Sequence, residues 1–141
     1  MGCDIHVHTE VKINGEWRHW GAPSVSRNYS LFEKMAGVRG EVSNAIVAPR
    51  GLPSDITFET RFDFGPDEDP RDFWHSASWL SAHEIGKLSD WWDKETEERG
   101  GYKGIESEFG YLMGNGWNVE KYPNDHPQGV QDARWVFWFD N

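Results

Sequence analysis

Cys3-Asp4-Ile5-His6-Val7-His8-Thr9-Glu10-Val11-Lys12-Ile13 alternates without a break, and Asn14-Gly15 follows it. Successive side chains of a strand point to opposite faces. Cys3, Ile5, Val7, Thr9, Val11 and Ile13 therefore line a core face, and Asp4, His6, His8, Glu10 and Lys12 line the other. Asn-Gly between two alternating runs predicts a two-residue hairpin with a type I′ turn. That turn pairs Ile13 with Glu16, Lys12 with Trp17, Val11 with Arg18, Glu10 with His19, Thr9 with Trp20 and His8 with Gly21. Directly opposed residues share a face, so His19 and Trp17 join the polar side. Two imidazoles flanked by carboxylates on one pleated surface suit acid/base chemistry or metal binding better than plain solvation.

The rest of the chain fits around this hairpin. Asn28 predicts a helix N-cap, with Phe32, Met35 and Ala36 inward over residues 29–38 and Gly37 and Gly40 ending the helix. Ser81-Ala82-His83-Glu84 is a capping box opening a helix to about residue 98, with Ile85, Leu88 and Trp92 on one stripe. A second helical pattern holds Ile105, Phe109, Leu112 and Met113. Residues 41–73 read as ordered loop with extended pieces such as 56–62; so long a connection is more often functional than idle. Residues 134–141, Arg-Trp-Val-Phe-Trp-Phe-Asp-Asn, are mostly apolar on both faces, which places them mid-sheet beside the first strand. The expectation is one α+β domain over 1–141: a mainly antiparallel sheet with an N-terminal hairpin and a C-terminal central strand, helices packed on one side.

Composition narrows the function. The net charge of −10 argues against binding duplex nucleic acid, which depends on Lys and Arg neutralising phosphates. It leaves room for a small nucleotide held by local arginines. Nine Trp in 141 residues exceed what a core of this size requires, and surplus indoles suit interfaces and ligand stacking. The single Cys3 cannot form an internal disulfide, which fits a cytoplasmic setting. No run is apolar enough to span a membrane. Acylation at Gly2 or Cys3 is disfavoured, because His6 stands where myristoylation wants Ser or Thr and Cys3 belongs to the core face.

Candidate chemistry clusters at a few places. Asp4-x-His6-x-His8 is the set that a divalent cation could take. Over eight residues, 3–10, the chain resembles the first motif of the polymerase-and-histidinol-phosphatase metal phosphoesterases; it lacks the length and later motifs of that family's barrel. His75, in Phe73-Trp74-His75-Ser76-Ala77-Ser78-Trp79-Leu80, is either a packed residue satisfied by Ser76 or Ser78, or a general acid or base tuned by its aromatic surroundings. Ser76 as a nucleophile lacks a strand-turn-helix elbow. Arg27 and Arg50 offer planar forks to phosphate, with surface ion pairs as the bland alternative. Arg39 reads as such an ion pair, and His83 and His126 as exposed, uncommitted residues.

Several of these segments together resemble a family of small, mostly uncharacterised phage and prophage proteins. The matching segments are Met-Gly-Cys-Asp-Ile-His (1–6), Arg-Asn-Tyr (27–29), Gly-Val-Arg-Gly (37–40), Pro-Arg-Gly-Leu-Pro (49–53), His-Ser-x-Ser-Trp-Leu (75–80) and Val-Phe-Trp-Phe-Asp-Asn (136–141). The resemblance implies a viral product acting in a bacterial cytoplasm and brings no activity with it. The resulting expectation is a phosphodiesterase cleaving a small nucleotide signal of host antiviral defence, a cyclic one among the candidates. His6 and His75 would share the acid and base roles, Asp4 would orient His6, and Arg27 and Arg50 would hold phosphate. His8, Trp17, Asn28, Tyr29, Ser76, Trp79 and Asp140 would line the ligand site, with Trp17 or Trp79 stacking the base. The alternatives are sequestration of the same nucleotide without cleavage, and inhibition of a host enzyme by the acidic helix carrying Asp90, Asp93, Glu95, Glu97 and Glu98. Homo-oligomerisation is left open.

Overall fold

The computed structural model describes residues 2–65, 74–98 and 129–141, and side chains up to residue 95 in the last turns of the long helix. Four strands form one antiparallel sheet. They are β1 (Asp4–Ile13), β2 (Glu16–Gly21), β3 (Trp74–Ser81) and β4 (Val130–Asp140), in the spatial order β2-β1-β4-β3. Among the described residues the α-helices are α1 (Tyr29–Ala36), α2 (Phe58–Phe64) and α3 (Ala82–Glu98). The α+β architecture with β4 beside β1 is as the sequence predicts. The pattern around residues 105–113 and His126 lie outside the described residues.

The hairpin turns as expected, with Asn14 at φ 51° and Gly15 at φ 80°, both in the left-handed region that a type I′ turn demands. Glu10↔His19, Val11↔Arg18, Lys12↔Trp17 and Ile13↔Glu16 pair as predicted. The last two pairings do not. Thr9 faces Gly21, and Trp20 is the extra residue of a bulge.

On the helix face, Cys3 and the β1 residues Ile5, Val7 and Val11 meet Ala133, Trp135, Phe137 and Phe139 of β4 and are covered by α1 and α3. Leu31, Phe32, Met35, Ile85 and Leu88 fill the layer between. Phe32 meets Phe139 edge-on at 5.1 Å; burying a ring of this size contributes about 1.5–3 kcal/mol. Both helix starts are as read. Asn28 Oδ1 accepts from the Leu31 N–H at 3.1 Å. Ser81 and Glu84 exchange bonds of 2.8 and 3.2 Å. Gly37 closes α1 at φ 75°, where a Cβ would lie 2.5 Å from the Val42 backbone.

The other face departs from expectation. Residues 56–62 are not extended, and not every helix lies on one side. Thr57 caps α2, which lies across the face carrying His6, His8 and Glu10. The fastening is a buried network. Glu10 Oε2 accepts from Thr57 N at 3.0 Å, Thr57 Oγ1 at 2.6 Å and Thr60 Oγ1 at 2.8 Å. Glu10 Oε1 accepts from Arg134 Nε at 2.8 Å. Arg134 in turn donates to the Asp55 carboxylate at 2.7 Å and the Asp55 carbonyl at 3.1 Å.

Candidate functional site

The alternation of β1 presents Asp4, His6, His8 and Glu10 to this second face, opposite Asp140, Trp138, Val136 and Arg134 of β4. His6 and His8 each have a carboxylate. His6 Nε2 donates to Asp140 Oδ2 at 2.5 Å, and the pair is partly exposed, at 36% and 27% of the side chains. His8 Nε2 donates to Asp63 Oδ2 at 2.8 Å, while His8 Nδ1 lies 2.9 Å from His19 Nε2. Both rings stack on Trp138, at 5.8 and 5.3 Å. Trp74 tilts against His6 at 5.5 Å, and Phe64 closes edge-on against Trp138 at 5.1 Å.

With the carboxylates as acceptors, the contacts allow one consistent assignment of the ring protons. Burial holds His8 below its ordinary value, against the opposing pull of Asp63. A neutral His8 that donates from Nε2 must accept at Nδ1, so His19 donates from Nε2 and keeps its own lone pair at Nδ1. Asp63–His8–His19 is thus a hydrogen-bonded chain ending at His19 Nδ1. His6, donating to Asp140, likewise keeps Nδ1 as its second proton-carrying atom. His6 and His8, each bonded to a carboxylate, sit on one aromatic floor.

Asp4 accepts from Arg27 Nε and Nη2, at 2.6 and 3.0 Å, and the guanidinium beside it holds its carboxyl below the usual range. Asp4 opposes Asp140 across the sheet, so Arg27 stands at the His6 end of the site. Asp4 does not orient His6; Asp140 has that role. Nor do Asp4, His6 and His8 converge as metal ligands, because each is committed to a different partner. Among the described residues no group of three or more His, Cys, Asp and Glu is arranged to hold a metal ion.

His75 is the main correction. It opposes Phe139 and stacks on it at 6.1 Å, whereas His6 opposes Trp138. Adjacent residues of β4 face opposite ways, so the two imidazoles lie on opposite faces of the sheet. The cause is a bulge: Ser76 and Ala77 together stand against Trp138, which reverses the parity between His75 and Trp79. Trp74, before the bulge, takes the place beside His6.

The other predicted ligand residues are largely committed to structure. Arg50 lies 3.5 Å over the Trp79 ring, donates to the Trp79 carbonyl at 3.0 Å and grips Glu84 at 2.5 and 3.4 Å. Burial pushes the Glu84 carboxyl up, but bonds from the Ser81 backbone and Arg50 outweigh it and hold it low. Arg50 is therefore a tie between the loop at 49–53, β3 and α3, not a phosphate holder. Trp17 has Arg134 3.9 Å over its ring, and Trp79 has Arg50, so neither offers that face to a base. Asn28 is spent as a cap. The Tyr29 hydroxyl accepts from the Cys3 N–H at 3.2 Å, and the ring carries Arg39 at 5.1 Å. Ser76 bonds His75 on the helix face.

Asp63, Phe64 and Trp74 were not anticipated from the sequence. Asp63 had one available signal, the Thr57-x-x-Thr60 start of a helix with Glu59 in its first turn. A separate cleft of about 220 Å³, lined by Ser30, Glu33, Lys34, Asn44, Trp91 and Glu95, holds none of the predicted site residues.

No family model matches the chain, and no curated protein or solved structure matches it either. No helix among the described residues is long and apolar enough to cross a membrane.

Proposed function

We propose that this protein is a phosphodiesterase acting on a small nucleotide, with its chemistry on the second face of β1. The observation that carries the proposal is the pair of imidazole–carboxylate units, His6–Asp140 and His19–His8–Asp63, two residues apart along one strand over Trp138. Hydrolysis of a phosphodiester needs a base to take a proton from water and an acid to give one to the leaving oxygen. One imidazole deprotonates the water as its oxygen bonds to phosphorus; the other protonates the alkoxide as the ester P–O bond breaks. Arg27, half exposed, is held by Asp4 through Nε and Nη2 and would meet a phosphate through Nη1, and the partly exposed Trp74 would be the platform for a base. The resemblance to phage proteins makes a cyclic signal of host defence the substrate class to try first, in the host cytoplasm.

The test is incubation of the purified protein with a panel of cyclic mono- and dinucleotides, with and without chelator, followed by chromatography. Cleavage that falls about 10²-fold or more in His6→Gln supports the proposal. Nucleotides that stay intact throughout refute it.

A second reading is sequestration without cleavage. It is favoured by one observation: Arg50, which a catalyst would need to stabilise developing charge, is tied to Glu84 and Trp79. Heating the mixture distinguishes the two, since a sequestering protein releases unchanged nucleotide.

A further inference from the structure

We propose that Ser76 and His75 form a second reactive site, a serine hydroxyl activated by the imidazole before it. It lies on the helix face, apart from the His6 site, and takes activated phosphonyl or acyl compounds. The Ser76 Oγ lies 2.9 Å from His75 Nδ1, the distance at which a hydroxyl donates to a base. Ser76 also has φ 55°, in the left-handed region where a residue with a Cβ costs about 1 kcal/mol or more. Glycine would hold the same bulge without that strain. What serine adds is the hydroxyl, aimed at the ring.

The surroundings favour reactivity over simple packing. His75 Nε2 is buried and has no hydrogen-bond partner among the described residues, an arrangement that a purely structural histidine avoids. The bulge itself is held from outside: Gly51 N donates to the Ala77 carbonyl at 2.9 Å, and Arg50 N donates to Ser78 Oγ at 3.3 Å. The loop at 50–51 thus fixes the turn that displays Ser76, which remains partly exposed. Among the described residues no carboxylate meets Nε2, so the pair lacks the third member of a relay. The site therefore reacts once with a good leaving group rather than turning over rapidly.

With a fluorophosphonate, Oγ bonds to phosphorus, the P–F bond breaks, fluoride departs and the hydroxyl proton passes to His75 Nδ1. The experiment treats the folded protein with a fluorophosphonate and follows intact mass, with peptide mapping of the adduct. One adduct per chain, located at Ser76, is expected. It should be absent from Ser76→Ala and Ser76→Gly, and form at least tenfold more slowly in His75→Gln. Ser76→Gly relaxes the backbone while removing the hydroxyl, so unchanged circular dichroism in that variant separates reactivity from folding. An unlabelled wild type, an adduct persisting in Ser76→Gly, or His75→Gln reacting at the wild-type rate overturns the proposal. Labelling reads the helix face alone, so its failure leaves the nucleotide reading standing.

Discussion

Replacing Glu10 by Gln changes one atom in a side chain with no exposed surface, and the geometry determines what that change costs. The carboxylate receives three donors at Oε2, from Thr57 N, Thr57 Oγ1 and Thr60 Oγ1, and the Arg134 guanidinium at Oε1. An amide must turn its NH2 toward one set or the other. Turned to Arg134, it sets donors against donors and leaves the guanidinium with Asp55 alone. Turned to α2, it orphans the Thr57 N–H, because the hydroxyls can rotate to accept and a backbone amide cannot. A buried donor left unmade costs about 1–3 kcal/mol. Removing the charge opposite a buried ion costs about 3–5 kcal/mol, less here because Asp55 remains 2.7 Å from Arg134. A loss of about 3 kcal/mol is expected, a large share of a domain's usual 5–15. Urea unfolding followed by tryptophan fluorescence measures it. Amide exchange should speed up across residues 57–64, since this network fastens α2. A double variant with Arg134→Met should recover part of the loss, because no charge then stays buried alone. A loss below about 1 kcal/mol, or strictly additive variants, would refute the reasoning.

Further outcomes follow from other contacts. Gly37→Ala should lower stability by about 1–2 kcal/mol in the same assay, since a Cβ at φ 75° meets the Val42 backbone. Acidification should weaken the fold in a window set by His8. Its folded value lies below the ordinary 6.5, so the unfolded chain takes the proton first and stability falls as pH drops through about 6.5 toward the folded value. The urea midpoint of His8→Asn should show less of that slope. Cys3 is fully buried and its thiol is pushed up by that burial, so iodoacetamide should alkylate it at least 10²-fold faster in urea than in the native protein. Asp140→Asn should reduce nucleotide cleavage at least tenfold, because the carboxylate holds His6 through its Nε2.

The parts of the fold that the sequence exposes are those governed by short-range rules. Asn14-Gly15 sets the hairpin register as far as Glu10↔His19, Asn28 and the Ser81–Glu84 box start their helices, and residues 134–140 declare a central strand. Where a bulge intervenes, the rule of two fails. Trp20 is a strong strand former, and nothing nearby marks it as the extra residue. At His75-Ser76-Ala77-Ser78, unbroken alternation would put His75 on the same face as Trp79; the bulge separates them, so the expected His6–His75 pair does not form. Residues 56–62 alternate as a strand does, yet they fold as a capped helix, because Glu10, distant in sequence, satisfies Thr57 and Thr60. Half of the site was legible as a consequence: Asp4, His6, His8, His19 and Asp140 share a face as alternation and pairing require. Asp63, Phe64 and Trp74 reach that face through tertiary contacts that no local pattern records.

The decisive measurement is the rate of cyclic nucleotide cleavage by the wild type, His6→Gln and His83→Gln under identical conditions. His83 is an exposed residue of α3, outside the proposed site. The account predicts cleavage by the wild type and His83→Gln, and loss of about 10²-fold or more in a folded His6→Gln. Equal rates in all three proteins, or none in any, would contradict it.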